Sequence, residues 1–322
     1  MAVPWRRASG PTETRTDPTQ LDQIAERAPN PTAPALTEPA RSQRSGVGLN
    51  RTREIRGGGG LRLHVSEWGN LDGPPVLFLH GWSQSQLCWA RQVTGSLARD
   101  SRIVTVDNRG HGMSDKPLDV EQYIDQQLWA DDVAALIDQM NLDRPVLVCW
   151  SYGGFIVTDY IRAHGEDAVS GINLVGAAVM LRPEFDHFGP GLLENAQDAC
   201  SPDLLTSITA VRRLLGEMTA EPLGADEWSN ALCSTMVVPP AVRGALLARE
   251  IDADDVLTEI SVPVLVTHGR ADRIVLPSMA EHVLDVCRGA EASWYDGVGH
   301  MPFLELPARF DHELGQFVAR VR

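Results

Sequence analysis

Five short runs in this chain are apolar at nearly every successive position rather than at alternate ones: residues 76–79, 103–106, 146–148, 172–175 and 264–266. A strand of that kind is covered on both faces, the condition met inside a parallel sheet with helices above and below it. Helical patterns lie between the runs. Over residues 121–140, Ile124, Leu128, Val133, Leu136, Ile137 and Met140 fall on one stripe. A second helix is expected directly after Ser151, with Gly165 as its terminator. A third opens at Pro277-Ser278 ahead of Gly289, and a last one runs over about 307–321. The expected fold class is α/β, a mostly parallel central sheet with helices on both faces.

The four glycines 57–60 precede an alternating run, Leu61-Arg62-Leu63-His64-Val65. They read as a hairpin turn, because a phosphate-binding loop would lead straight into a helix. The alternation of strand and helix stops once. Between Val179 and about Asp255 there is no strand pattern, only helical runs broken by prolines and glycines such as Pro183, Pro202 and Pro222. The expected organisation is therefore a core of residues 51–180 and 256–322, with 181–255 inserted as a small helical cap. The apolar residues of that block, among them Phe185, Phe188, Leu192, Leu193, Leu214, Leu215 and Met218, must cover something. Residues 1–50 hold seven of the 21 prolines and show no sustained period. Such a segment buries too little apolar surface to offset its ordering entropy, so a disordered tail is expected, with a short helical turn over 21–27.

Composition narrows the function. With 322 residues and 43% hydrophobic content the chain has enough apolar mass for a large core without metals or disulfides. A net charge of −15 argues against a nucleic-acid partner and against anionic membranes. The five cysteines, Cys88, Cys149, Cys200, Cys233 and Cys287, are scattered with no CxxC pair, so neither a zinc site nor a disulfide framework is expected. No apolar h-region follows Arg6 and Arg7, and no run reaches the roughly 18 apolar residues of a membrane span. A reducing cytoplasm is the simplest setting, and a small-molecule substrate the expected partner. The oligomeric state is left open.

Chemistry concentrates where the strands end. Val146-Leu147-Val148-Cys149-Trp150-Ser151-Tyr152-Gly153-Gly154 is a buried strand that runs into a serine and a glycine pair. A serine hydroxyl becomes a nucleophile when a sharp strand-to-helix turn presents it and a base deprotonates it. Small residues two places either side let that turn close. Gly153 meets the requirement, while Cys149 stands where the usual G-x-S-x-G motif has its first glycine. Cys149 itself reads as a buried structural thiol, two residues too early for the turn. An ordinary helix N-cap serine would present much the same local pattern as Ser151.

The remaining motifs come in order: His80-Gly81-Trp82 after one core strand, Asp107-Asn108-Arg109-Gly110-His111-Gly112 after the next, Gly269-Arg270-Ala271-Asp272 after a late strand, and Gly297-Val298-Gly299-His300-Met301-Pro302 before the last helix. With these motifs the chain resembles the α/β-hydrolase superfamily, in particular its capped branch of esterases, cofactor-free haloperoxidases, epoxide hydrolases and C–C bond hydrolases, over about residues 51–322. The resemblance implies Ser151 as nucleophile, His300 as base and Asp272 as the acid that orients it, with Asp254 and Asp255 as competitors for the last role. It implies an oxyanion hole from the backbone amides of Trp82 and Tyr152, and loop-shaping roles for His80 and His111. Trp82, Trp150 and Met301 are expected in the substrate pocket. No cofactor and no metal are implied.

A serine at the elbow disfavours epoxide and haloalkane chemistry, which use an aspartate there. Haloperoxidase-like members commonly carry proline after the tryptophan, where this chain has Ser83. The leading expectation is hydrolysis of a carboxylic ester or lactone on a largely apolar substrate through an acyl-enzyme. Haloperoxidase or perhydrolase activity, C–C hydrolysis, lyase chemistry on the same residues, and a hydrolase-fold ligand receptor are the alternatives.

Overall fold

The computed structural model describes residues 48–181 and 187–322. The expected tail up to residue 47, its helical turn over 21–27, and Pro183 and Phe185 of the inserted block lie outside them. Strand β1 (Leu49–Arg56) begins within the last residues assigned to the tail and pairs antiparallel with β2 (Arg62–Gly69) across the four glycines, as a hairpin does. Then follow β3 (Pro75–Leu79), β4 (Arg102–Asp107), β5 (Val146–Trp150), β6 (Gly171–Val175), β7 (Met180–Leu181), β8 (Ile251–Asp252), β9 (Val264–Gly269) and β10 (Glu291–Tyr295).

Among the described residues the main sheet has the order β1-β2-β4-β3-β5-β6-β9-β10. β2 is antiparallel to both its neighbours, and every pair from β4 to β10 is parallel. β3, β5, β6 and β9 are buried along their whole length, which is why their sequences need no polar alternate positions. The chain is thus an α/β protein with a mostly parallel sheet, as its apolar runs imply. Among the described residues no helix is long and apolar enough to cross a membrane.

The helices depart from expectation in places. The stripe over 121–140 is two helices, Glu121–Ile124 and Gln126–Gln139. Asp125 is extended between them (φ −71°, ψ 111°), and its carboxylate caps the Gln127 amide at 2.9 Å. Trp129 and Asp132 consequently join Val133, Leu136 and Ile137 on the buried side, while Ile124 and Leu128 are half-buried. The helix after the elbow, Gly153–His164, does stop at Gly165, whose φ is 74°.

Between β6 and β9 lie the helices Pro190–Leu193, Ala196–Ala199, Leu204–Gly216, Ala225–Val237, Pro240–Leu247 and Asp254–Glu259. The sequence pattern misses the two-residue strands β7 and β8, which pair antiparallel at the ends of this block. Leu214, Leu215 and Met218 are buried as their spacing suggests, whereas Leu193 is exposed.

Candidate active site

All the motif loops leave the carboxyl ends of parallel strands, the edge where open α/β sheets bind ligands. Ser151 follows β5 directly and adopts φ 54°, left-handed for a residue with a side chain. That strain is held by neighbours on both sides: the Ser151 amide donates to Val175 O at 3.0 Å, and Ser151 O accepts from the amides of Gly154 and Ala178. The turn is tight enough that a Cβ on Gly153 would lie 2.9 Å from Leu79 O and 3.5 Å from Cys149 Cβ. Cys149 therefore fits under the elbow in ordinary contact with a glycine. Its thiol is fully buried, and burial pushes its pKa well up, which removes it as a nucleophile.

His300 and Asp272 are brought together. His300 Nδ1 donates to Asp272 Oδ2 at 2.7 Å, both side chains buried, which leaves Nε2 as the basic lone pair. Asp272 Oδ1 accepts from the amides of Ile274 (2.8 Å) and Val275 (3.1 Å). Burial alone would raise the Asp272 pKa, but the charge of His300 and hydrogen bonds from His268 and His300 outweigh it and hold it at about 2. Asp254 and Asp255 lie elsewhere, on His282 (2.7 Å) and Arg162 (2.6 Å).

Ser151 and His300 border one cavity. His300 Nε2 has no hydrogen bond to any described residue, so the Ser151 hydroxyl is not bonded to it, as is common in substrate-free sites. Gly81 flanks the serine: a Cβ there would meet Ser151 Cβ at 2.9 Å and the Trp150 ring at 3.3 Å. The amides of Trp82 and Tyr152 donate to no described residue, and both residues line the same cavity. The indole of Trp150 packs 5.5 Å from the His300 ring and donates to His300 O at 2.9 Å, which fixes the histidine loop. Apart from Ser151 and His300 the wall is almost wholly apolar, with Phe155, Leu181, Phe188, Leu214, Met218 and Leu247 contributing. The open volume is small, about 40 Å³.

Met301 is a correction. It does not border the Ser151 cavity; it lines another one with Gln84, Cys88 and Leu304. His80 and His111 are both locked into loops. His80 Nδ1 donates to Gly81 O (2.8 Å) and Nε2 accepts from the Asn108 amide (3.0 Å); His111 Nδ1 donates to Arg109 O (2.8 Å) and Nε2 accepts from the Ser83 amide (3.1 Å). Burial drives their pKa values down to about 4 and about 3.

Two participants carry no motif signal. His268 on β9 lies 3.4 Å from Asp272 Oδ2 through Nε2, which also donates to Val275 O at 2.9 Å. Met218 O, from the inserted block, accepts the His300 amide at 2.7 Å.

Comparison with known proteins gives the family. An esterase from Rhodococcus sp. is 34% identical and superposes with a TM-score of 0.80 over 84% of this chain and 99% of its own. An AB hydrolase superfamily protein of Bacillus subtilis is 28% identical over 264 residues, 80% of this chain and 95% of the relative. A non-heme haloperoxidase of Rhodococcus erythropolis is 27% identical over 256 residues, 75% of this chain and 90% of the relative. The model of the alpha/beta hydrolase family matches residues 76–313, and to that family of hydrolases the chain belongs.

Proposed function

We propose that this hydrolase cleaves a carboxylic ester or lactone of a small, largely apolar substrate, with Ser151 as nucleophile, His300 as general base and Asp272 as its orienting acid. The observation that carries the reading is the His300–Asp272 hydrogen bond of 2.7 Å, with the basic Nε2 left free beside a serine on a φ 54° elbow. Ser151 Oγ attacks the carbonyl carbon while His300 Nε2 takes its proton. The resulting oxyanion is met by the Trp82 and Tyr152 amides, each such donor contributing about 3 kcal/mol. His300 then protonates the departing alcohol oxygen, and water repeats the sequence on the acyl-enzyme to release the acid. The helical block 181–255 acts as the cap whose Leu214, Met218 and Leu247 close the apolar pocket.

Ester rather than perhydrolase chemistry is favoured at one position. Ser83 adopts φ 56° and donates its amide to His111. A proline there supplies neither, since its φ is fixed near −65° and it has no N–H. The pocket volume sets the size range. At about 40 Å³ it holds two or three waters' worth of space, so short acyl groups enter without displacing the cap.

A chain-length panel of chromogenic esters and lactones tests the reading. The expected result is turnover of short-chain substrates with a drop in kcat/KM as the acyl group lengthens, and loss of about a thousandfold or more in Ser151→Ala. Turnover retained in that variant sinks the assignment.

A further inference from the structure

We propose that Glu305 is a positioning residue of this hydrolase: its carboxylate ties the inserted helical block to the loop that carries His300, and so sets where the base stands relative to Ser151. The inference rests on the ester-hydrolase reading above. The chain around His300 does little to hold it. Gly297, at φ 70°, and Gly299 precede it, and glycine backbone has more freedom to lose than any other. His300 Nε2 is bonded to no described residue, so no hydrogen bond holds the ring on the serine side. Glu305 ends the short helix Pro302–Glu305 that follows the histidine, and its side chain turns back. Oε1 accepts the Gly299 amide at 2.9 Å, and Oε2 accepts the Ala220 amide at 2.8 Å. One amide belongs to the histidine loop and the other to the inserted block. Burial raises the Glu305 pKa, and no cation among the described residues offsets it; the oxygens serve backbone donors.

The two bridged segments also touch directly. The His300 amide donates to Met218 O at 2.7 Å. A Cβ on Gly299 would lie 2.9 Å from Met218 O, 2.9 Å from Thr219 Cα and 3.0 Å from the Ala220 nitrogen, so a bare backbone is needed for this approach. Met218 lines the Ser151 cavity, while Thr219 and Ala220 do not. The acid is joined to the same block in another way. Among the described residues its loop is laced there by backbone bonds: Gly189 N to Ile274 O (2.9 Å), Gly191 N to Arg273 O (3.0 Å) and Leu276 N to His187 O (2.8 Å). Asp272 Oδ1 further takes the Ile274 and Val275 amides, so the acid keeps its place without help from a distant side chain. The histidine loop has the Met218 bond, and Glu305 supplies the second link. Without that link the loop drifts from the block while the acid stays, in a geometry where a shift of about 1 Å costs roughly a hundredfold in rate.

The test compares the unmodified enzyme with Glu305→Ala, Glu305→Gln and Gly299→Ala on para-nitrophenyl acetate and butyrate, with kcat counted per site titrated to completion by a fluorophosphonate. Counting by site removes the contribution of unfolded enzyme. Glu305→Ala loses both links and is expected to lower kcat by about thirtyfold while KM stays within about threefold, because of residues 218–220 only Met218 borders the cavity. Glu305→Gln keeps one acceptor oxygen at the same reach, and its expected loss is smaller, about five- to tenfold. Gly299→Ala presses the segments apart and should show the same fall in kcat; combined with Glu305→Ala it should cost little more, since both changes act on one contact. An unchanged kcat per site in Glu305→Ala, an effect confined to KM, or full additivity of the two changes overturns the proposal. Failure of the underlying reading looks different: the unmodified enzyme then turns over neither ester, or Ser151→Ala turns over both.

Discussion

Ser151 owes its place on the cavity wall to what its neighbours lack. Its left-handed backbone pushes the side chain towards the β3 loop, and Gly81 leaves room for it there. Gly81→Ala places a methyl 2.9 Å from Ser151 Cβ without requiring an unusual backbone angle at position 81. The expected outcome is a fall in kcat of about ten- to a hundredfold, the effect of shifting a nucleophile by a fraction of an ångström to an ångström, with little change in melting temperature. Ester kinetics beside a thermal melt checks this, and an unchanged kcat contradicts it. At this scale the sequence is legible where glycines and strand ends mark a loop, and illegible where contact is made across the fold. His268 is one strand residue among apolar ones, and nothing nearby in the chain says that it faces Asp272. Met301 shows the converse: adjacency to His300 in the chain is not adjacency in the pocket.

The loops after β3 and β4 are elements held together by two neutral histidines. Each uses one ring nitrogen as donor and the other as acceptor for backbone groups, so protonation breaks a buried hydrogen bond. The sign follows from their depressed pKa values. Below about 6.5 the unfolded chain takes up protons that the folded chain refuses until about 4 at His80 and about 3 at His111. Stability is therefore full above pH 6.5 and is lost as pH falls from there towards 4, each histidine adding about 1.4 kcal/mol per pH unit. Urea unfolding between pH 7 and 5 should show that slope reduced by about one proton in His80→Gln and in His111→Gln. Profiles parallel to the unmodified protein contradict the assignment. Elements were readable from sequence where a period runs long enough to count. β7 and β8 have two residues each and no period, and edge strand β10, two of its five residues exposed, lacks the apolar run of the inner strands. The break at Asp125 escapes because its capping chemistry interrupts a stripe that continues on both sides.

At the scale of the molecule, the site exists only once the sheet is assembled. Ser151 follows β5, Asp272 lies in the loop after β9, His300 in the loop after β10, and the Trp82 and Tyr152 amides follow β3 and β5. The order of those motifs along the chain made the family legible, since each one ends a strand. The pocket was not legible, because it is shaped by how the helices between β6 and β9 lie on the sheet. That packing hangs on contacts such as Met218 O with the His300 amide, and the ion pair of Glu217 with Arg273 beside the acid. A nucleophile that depends on the whole fold reacts in the native protein and nowhere else. The most direct measurement treats the folded chain, the urea-unfolded chain and folded Ser151→Ala with a fluorophosphonate probe and maps the adduct by mass spectrometry. The account predicts one adduct per folded chain, on Ser151, and none in the unfolded chain or the variant. An adduct on another residue, or an unlabelled native protein, contradicts it.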